Sequence, residues 1–235
     1  MEAHTQKVGG AIYTGRSNLE AMALARRYNG FLLSLVTRYC PAEVRGVVDF
    51  GAGTGTFAKA MRAQHYSVVP VEMDPSLQAT LKADGFASVA SLTQLPAQAE
   101  YIYSLNVLEH IKEDKQVLRQ LAAALKPGGK LMLYVPAFPV LYSKMDQEVG
   151  HHRRYTRADL HKKLQAAGFS VDTIRYVDSL GFLAALTYKT LRRSGTLQPG
   201  QVKTYDTYVF PVSLGLDRLT QYWFGKNILA VATKK

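Results

Sequence analysis

The sequence of 235 residues predicts an α/β fold, in which a seven-stranded, mostly parallel sheet carries helices on both faces. Short β-branched or apolar runs alternate with segments of helical spacing from residue 46 to residue 176. Glycine and proline separate these segments, as in the turn Lys126–Gly129. A glycine-rich stretch also joins the first strand run to the first helical segment, where polar groups of a ligand often meet free backbone amides.

The predicted strands are short runs rich in β-branched and apolar residues. They are Gly46–Phe50, Ser67–Val71, Phe86–Ala90, Tyr101–Leu105, Lys130–Val135, Phe169–Tyr176 and Asn227–Thr233. Segments with apolar residues at helical spacing predict the helices Thr56–Gln64, Ser76–Asp84, Glu113–Leu125 and Arg157–Ala167. The last of these helices starts with a capping box, Thr156 to Asp159. The alternation assigns residues 45–177 to a core.

Helical segments are expected on both sides of this core. A capping box at Ser17–Glu20 predicts a helix that runs to about Tyr39, within an N-terminal helical cap at residues 1–44. Two apolar stretches predict a helical insertion at residues 178–226, before the last strand. These stretches are Leu180–Leu191 and Tyr208–Phe224. One domain over residues 1–235 accounts for the whole sequence.

The composition limits the class of protein. With 47% hydrophobic and 20% charged residues, the chain can bury a sizeable core. The single cysteine, Cys40, excludes an internal disulfide framework and is expected to be a small buried side chain. Residues 1–10 lack the apolar stretch of a signal peptide, and no apolar run reaches the ~20 residues that span a bilayer, so a cytoplasmic location is expected.

The chain is basic, with 29 Lys and Arg against 18 Asp and Glu and a formal net charge of +11. Such a balance suits nucleic acid, an anionic membrane surface or an acidic substrate. The basic residues are scattered in short clusters, however, and a solvated surface explains each cluster more simply. Charge therefore does not select one of these partners.

The clearest motif is the glycine-rich loop at residues 47–57, VVDFGAGTGTF, which has a glycine at every second position of its centre. A dinucleotide-binding loop is usually spaced G-x-G-x-x-G. Asp49 beside the loop is unfavourable for a pyrophosphate and suits a positively charged amino-acid group. Glu72, at the end of the second strand run, can accept hydrogen bonds from both hydroxyls of a ribose, and Met73 can lie on an adenine face.

An ordered set of motifs accompanies this loop. In chain order it reads VVDFGAGTGTF at 47–57, VEMDP at 71–75, LP at 95–96, YIYSLNVLEHI at 101–111 and LKPGGKLMLYVP at 125–136. In motif content and spacing, residues 45–176 resemble a class I S-adenosylmethionine-dependent methyltransferase of the branch with small-molecule or lipid acceptors. The resemblance implies a Rossmann-like fold, S-adenosylmethionine as cofactor, and methyl transfer to O, N or C of such an acceptor.

The resemblance also implies a set of cofactor-binding residues. Those around the amino-acid half of the cofactor would be Asp49, Gly51, Ala52, Gly53 and Gly55. Those around the ribose, the adenine and the region near the sulfonium would be Glu72, Met73, Ser91, Leu92, Asn106 and Val107. The family commonly has an acidic residue at the position of Ser91, where it contacts the adenine amine. The backbone of Leu92 is the alternative contact in this sequence.

Methyl transfer needs a base only where the acceptor must lose a proton. His110 follows the strand run that ends at Leu105, and it can accept a proton there or simply pack against the helix that follows. For Glu109 a structural or cofactor-orienting role is expected. The Asn-Pro-Pro-Tyr motif of amino-directed nucleic-acid methyltransferases is absent here, which favours a small-molecule acceptor over a nucleic acid.

A second cluster, GHHRRY at residues 150–155, lies between the Lys130 strand and the capped helix, where similar family members often carry Gly-His-x-Arg-Arg-Tyr. Its candidate bases are His151 and His152, and its candidates for binding a carboxylate or phosphate of the acceptor are Arg153, Arg154 and Tyr155. Tyr13 is expected to fold over the cofactor's carboxylate or to lie in a surface turn. No metal site is predicted, because adjacent histidines rarely point at one ion and no third ligand is evident.

The apolar insertion carries large side chains that could roof an acceptor pocket, form a dimer face, rest on a membrane or belong to the ordinary core. They are Phe182, Leu183, Leu186, Tyr188, Leu191, Tyr208, Phe210, Tyr222, Trp223 and Phe224. We expect a monomer or homodimer that acts on a small or lipid-like acceptor, with peripheral membrane contact left open. The alternatives are an RNA methyltransferase, a non-catalytic S-adenosylmethionine-binding partner subunit and, by fold analogy alone, a dinucleotide oxidoreductase.

Overall fold

The computed structural model of the protein describes residues 24–190 and 199–235. The strands are β1 Gly46–Phe50, β2 Ser67–Val71, β3 Ala99–Leu105, β4 Leu125–Pro136, β5 Phe169–Val177 and β6 Asn227–Lys234. They form one sheet in the order β2-β1-β3-β4-β6-β5. The first four strands are parallel to one another, whereas β6 is antiparallel to both β4 and β5. The predicted α/β class and mostly parallel sheet are therefore confirmed.

The helices are α1 Arg26–Tyr39, α2 Thr56–Ala63, α3 Pro75–Ala83, α4 Asp114–Ala124, α5 Lys144–Glu148, α6 Arg157–Ala166, α7 Ser179–Thr190, α8 Pro199–Thr204 and α9 Phe210–Thr220. A π-helical turn at Tyr205–Val209 joins α8 to α9, and 3₁₀ turns occur at Leu92–Gln94, Leu108–His110 and Pro139–Leu141. No helix among the described residues is long and apolar enough to cross a membrane. The capping box at Ser17–Glu20 and the side chains of Tyr13 and Leu191 lie outside the described residues.

One predicted strand, Phe86–Ala90, is not a strand of the sheet. Val89 makes an isolated bridge with Val71, in which its amide donates to the Pro70 carbonyl at 3.0 Å and its carbonyl accepts from the Glu72 amide at 3.0 Å. The chain then enters the 3₁₀ turn that starts at Leu92, so pairing does not extend. The sheet has six strands instead of the predicted seven for this reason.

The sheet is buried on both faces, as its apolar strand runs predict. Successive residues of β3 alternate between two hydrophobic clusters: Tyr101 and Tyr103 belong to one cluster and Ile102 to the other. The first cluster includes α1 residues such as Leu35. The second includes α4 residues such as Leu121. Helices on opposite faces therefore hold the central strands in place.

The segment between β5 and β6 is tied to the N-terminal helix by a buried carboxylate. Asp206 accepts hydrogen bonds from the backbone amides of Arg27 at 3.0 Å and Tyr28 at 2.8 Å, in the first turn of α1. Amides in a first helical turn lack partners within their own helix, and a negative charge there also interacts favourably with the helix dipole. Asp206 thus fixes this segment against α1, across the end of the sheet that carries the candidate site.

Candidate functional site

The glycine-rich loop follows β1 and packs tightly against the ends of two neighbouring strands. Gly51 has φ +80°, and a Cβ atom placed on it would collide with the side chain of Val107. Gly55 has φ +78°, and its Cβ would lie 2.6 Å from Leu81 Cδ2. The Gly51 amide donates to the Val71 carbonyl at 2.8 Å. Both positions require glycine, because side chains rarely adopt this backbone conformation and the space is filled.

Asp49 lies beneath this loop as a buried carboxylate. Its side chain is 3% exposed, and its Oδ2 atom has no hydrogen-bond partner in the described part of the chain. Burial, with a smaller contribution from the charge of Glu72, raises the pKa of Asp49 to about 7. An unpartnered buried carboxylate is costly for the folded protein, and a bound cationic group would offset that cost.

Glu72, directly after β2, holds the loop from the other side. Its Oε2 accepts from the Gly53 amide at 2.8 Å, and its Oε1 accepts from the Asp74 amide at 3.0 Å. A carboxylate offers about four lone-pair positions, so two remain for hydroxyl donors. Met73 follows as an apolar side chain that is 78% exposed. This arrangement leaves an acceptor and an uncovered apolar surface next to each other.

The next two predicted cofactor positions lie where the chain leaves the Val89 bridge. The hydroxyl of Ser91 shares a hydrogen bond of 2.8 Å with that of Thr93. The Leu92 side chain belongs to the hydrophobic core, with 9% exposure. Leu92 can therefore contact a ligand only through its backbone.

Asn106 and Val107 continue the same edge of the sheet after β3. Asn106 adopts a left-handed backbone conformation with φ 55°, and its amide donates to the Tyr134 carbonyl of β4 at 2.7 Å. This turn directs the chain towards the loop, where Val107 meets Gly51. The loop and the residues after β3 therefore line one continuous edge.

A cluster of three titratable side chains, Glu109, His110 and His151, forms where the loops after β3 and β4 meet. The rings of His110 and His151 lie 4.6 Å apart in an edge-to-face arrangement. Glu109 is fully buried, and neither of its carboxylate oxygens has a hydrogen-bond partner within the described residues. His151 Nε2 lies 3.8 Å from Glu109 Oε1. One donor atom from each of the three side chains lies within 4.8 Å of the other two.

Burial shapes the charge of this cluster. It raises the pKa of Glu109 to about 8, because the carboxylate has lost its solvation. Burial, with a smaller contribution from the neighbouring His151, lowers the pKa of His110 to about 4. At neutral pH the His110 ring is therefore uncharged and Glu109 is largely protonated.

Asp146 organises the second histidine from behind. This carboxylate is 1% exposed and accepts at 2.8 Å from both His151 Nδ1 and Arg154 Nε. It also accepts a hydrogen bond at 2.9 Å from the amide of Ser143, the N-cap residue of α5. Burial opposes its ionisation, but the hydrogen bonds and charges of His151 and Arg154 lower the pKa of Asp146 to about 2. Asp146 therefore orients the His151 ring so that Nε2 points towards Glu109.

The remaining residues of the GHHRRY segment have different surroundings. Tyr155 is fully buried and donates to Asp114 at 3.0 Å, and Arg153 pairs with the same carboxylate at 2.7 Å. His152 is exposed, and its amide donates to the Glu109 carbonyl at 2.8 Å. The side chains of Tyr155 and Arg153 are thus engaged in fixing the segment to α4.

The large side chains of the insertion divide into three groups. Phe210 is fully buried and packs on Tyr28, with ring centroids 5.1 Å apart, as an ordinary core residue. Phe182 contacts Phe138 at 5.1 Å and Phe224 at 5.5 Å, beside the loop after β4. A third group is exposed and consists of Leu183, Tyr208, Tyr222 and Trp223. Only the second group lies close to the candidate site.

The comparisons with known proteins agree with this geometry. A family model described as "Methyltransferase domain" matches residues 24–174. The chain therefore belongs to this methyltransferase domain family. This confirms the family that the resemblance to class I S-adenosylmethionine-dependent methyltransferases predicts.

Individual relatives are distant. A ubiquinone biosynthesis O-methyltransferase of Xylella fastidiosa is 25% identical over 116 residues, which are 45% of this chain and 47% of that protein. The match thus spans about half the length of this relative. Phosphoethanolamine N-methyltransferase 2 of Haemonchus contortus, solved in complex with S-adenosyl-L-methionine, has a TM-score of 0.62 at 14% identity and covers 96% of this chain and 60% of that chain. An S-adenosylmethionine-dependent methyltransferase of Mesorhizobium loti has a TM-score of 0.57 at 15% identity, and the match covers 86% of this chain and 96% of that chain.

The sequence reasoning missed two residues near the site. Asp146 has a recognisable signal, because Ser143 and Asp146 form a capping box, but that spacing indicates only a helix start. Lys226 directly precedes β6. Burial lowers the pKa of its ammonium group, and the charges of Asp178 and Asp146 oppose this decrease. No motif marks Lys226, since its place depends on the return of the chain after the insertion.

Proposed function

We propose that this chain transfers the methyl group of S-adenosylmethionine to an oxygen, nitrogen or carbon atom of a small or lipid-like acceptor. The observation that carries the proposal is the pair of carboxylates on either side of the glycine loop. Asp49 is buried there with an unpartnered oxygen, and Glu72 holds the Gly53 amide at 2.8 Å. Together they offer separate sites for an ammonium group and for ribose hydroxyls.

The residues of the chain fit this cofactor. S-adenosylmethionine supplies a methyl group activated by its sulfonium. Asp49 would neutralise the amino group, and the loop glycines would let the backbone approach the amino-acid half. Glu72 would accept from the ribose hydroxyls, Met73 would cover the adenine, and the segment at Ser91 and Leu92 would contact the adenine edge.

The acceptor side of the proposal rests on the cluster beyond β3. Asn106 and Val107 lie between the glycine loop and that cluster along the chain, so methyl donor and acceptor would meet there. If the acceptor must lose a proton, an imidazole of His110, His151 or His152 accepts it. Arg154, which pairs with Asp146, is a cation beside this cluster that could bind an acidic acceptor.

The shape of the acceptor follows from the surrounding side chains. The half-buried Phe182 and Phe138 offer an apolar wall within reach of the loop that carries Arg154. An apolar body with one polar or acidic group would suit both features. A long nucleic acid would instead require many exposed cations that neutralise its phosphates. Much of the insertion exposes apolar side chains, which suits a small or lipid-like acceptor better.

Label transfer tests the proposal. The purified chain would be incubated with methyl-labelled S-adenosylmethionine and an extract of its source cells, and the label would then be partitioned between organic and aqueous phases. We expect label in the organic phase or in small aqueous molecules, and a Glu72→Ala control should lose most of it. Label that nuclease treatment removes would contradict the proposed acceptor class. Absence of both label transfer and cofactor binding would contradict the whole proposal.

A further inference from the structure

The cluster of Glu109, His110 and His151 contains more than proton transfer requires. Its carboxylate is fully buried with both oxygens unpartnered in the described structure, although leaving a buried carboxyl group unsatisfied destabilises a folded protein. Two imidazole rings converge on that carboxylate from a different loop and from the adjacent residue. A buried carboxylate without hydrogen-bond partners that faces two imidazole rings is typical of a site that binds a cation.

The spacing of the donor atoms fits a small metal ion after a minor adjustment. They lie within 4.8 Å of one another, and His151 Nε2 is 3.8 Å from Glu109 Oε1. In a tetrahedral zinc site, bonds of about 2.0–2.1 Å place ligand atoms about 3.3 Å apart. Side-chain rotations that bring the atoms up to about 1.5 Å closer would therefore complete the site.

Supporting contacts around the two histidines have the form found around metal ligands. His151 Nδ1 lies 2.8 Å from Asp146 Oδ1, which leaves Nε2 to face Glu109. Carboxylates that hold the far nitrogen of a ligating histidine fix its tautomer and its ring orientation. His110 is hydrogen-bonded by backbone groups of Val149 and Gly150. Both rings are thus held by contacts that do not depend on the proposed metal.

From this geometry we propose that Glu109, His110 and His151 bind one divalent zinc ion per chain. Two imidazoles and one carboxylate suit Zn²⁺, whereas Mg²⁺ and Ca²⁺ prefer sets of oxygen ligands. Three protein ligands leave a fourth position for water or for an acceptor atom. The sequence predicts no metal site, because the adjacent His151 and His152 are unsuited to hold one ion; the proposed site instead combines His151 with His110 from the loop after β3.

The inference deepens the proposed function. The zinc site lies beside Asn106 and Val107, so its role in methyl transfer rests on the proposal that the methyl donor binds there. A zinc ion there would hold an oxygen or nitrogen of the acceptor and lower the pKa of a bound hydroxyl. His110 and His151 would then act as ligands, and the acceptor proton would pass to solvent water or to the exposed His152 instead of to either ligand ring. Metal binding itself can be measured without any acceptor.

The test is a calorimetric titration of the intact, chelator-treated chain with Zn²⁺, with Co²⁺ absorption as a second readout of coordination. We expect one ion per chain for wild type. Glu109→Gln, which preserves shape, and His110→Ala should each weaken Zn²⁺ binding at least about 10-fold, and Asp146→Asn by about 10–100-fold. His161→Ala, a histidine on α6 outside the cluster, should leave the affinity unchanged. Far-ultraviolet circular dichroism verifies that each variant is folded.

Two results would overturn the proposal. One is the absence of stoichiometric Zn²⁺ binding to folded wild type. The other is Zn²⁺ affinity that survives Glu109→Gln and His110→Ala and disappears in His152→Ala, which would place the ion on surface histidines. Titration of the same samples with S-adenosylhomocysteine tests the proposed function separately. Cofactor binding at Asp49 and Glu72 does not involve the proposed zinc ligands, so either proposal can fail without the other.

Discussion

Replacing Asp49 with asparagine should make the ligand-free protein more stable at alkaline pH while weakening cofactor binding. Burial raises the pKa of Asp49 from 3.8 to about 7 in the folded state. The folded state therefore keeps this proton up to about pH 7, whereas the unfolded chain releases it from about pH 4. The stability contributed by the protonated group is complete below about pH 4 and is lost as the pH rises through about 7.

The size of the effect follows from the pKa shift. A shift of about 3 units corresponds to about 4 kcal/mol at 1.36 kcal/mol per unit, of which about 2.5 kcal/mol falls between pH 5 and pH 8. The introduced asparagine carries no titrating proton, so the stability of the variant relative to wild type should increase by about 2.5 kcal/mol over this range. Urea unfolding of both proteins at the two pH values measures this change, because a constant offset from the substitution cancels.

A matched control separates this effect from general changes in charge. Glu43→Gln removes an exposed carboxylate just before β1 and should give the same stability difference at both pH values. The account of Asp49 is refuted if its variant also shows an equal difference at pH 5 and pH 8. Binding provides an independent check: wild-type affinity for S-adenosylhomocysteine should rise between pH 6 and pH 8 as Asp49 ionises, and this rise should be absent in Asp49→Asn.

Substitutions at three further positions test other parts of the account. Glu72→Ala should weaken S-adenosylhomocysteine binding by about 1–3 kcal/mol, because the ribose loses its acceptor, and unchanged affinity in a titration would exclude that role. His110→Ala should lower turnover by roughly 10²–10⁴-fold while cofactor affinity is kept, because the ring either accepts the acceptor's proton or holds the proposed ion; near-wild-type turnover at neutral and high pH would make His110 a packing residue. Asp206→Ala should cost about 1–2 kcal/mol of stability in urea, because two first-turn amides of α1 lose their acceptor, whereas Asp206→Asn should cost less. Equal stability of both Asp206 variants and wild type would show that this contact contributes nothing.

Much of the fold follows from local sequence pattern. The bounds of β1 and β2 coincide with the predicted Gly46–Phe50 and Ser67–Val71, because β-branched runs between turn residues leave little choice. Phe86–Ala90 has the same kind of pattern and forms only one bridge at Val89. Strand pairing there depends on the direction in which the chain leaves Leu92, and no local pattern encodes that direction.

In the candidate site, too, some features follow from local sequence pattern and others depend on contacts between distant parts of the chain. Parallel strands end at one edge of the sheet, so the sequence could bring the glycine loop, Glu72 and Asn106 to that edge. It could not show that His110 faces His151 instead of the adjacent His152, since that contact depends on how two loops fold over each other. The role of Asp146 was hidden for the same reason, although its capping spacing is readable.

The most direct test of the central claim is a crystal structure of the chain with S-adenosylhomocysteine. The account predicts the ribose hydroxyls within hydrogen-bond distance of the Glu72 carboxylate and the amino group at Asp49. It also predicts the sulfur atom beside Asn106 and Val107, facing the loop that carries His110. A ligand bound with its ribose away from Glu72, or at another edge of the sheet, would contradict the account.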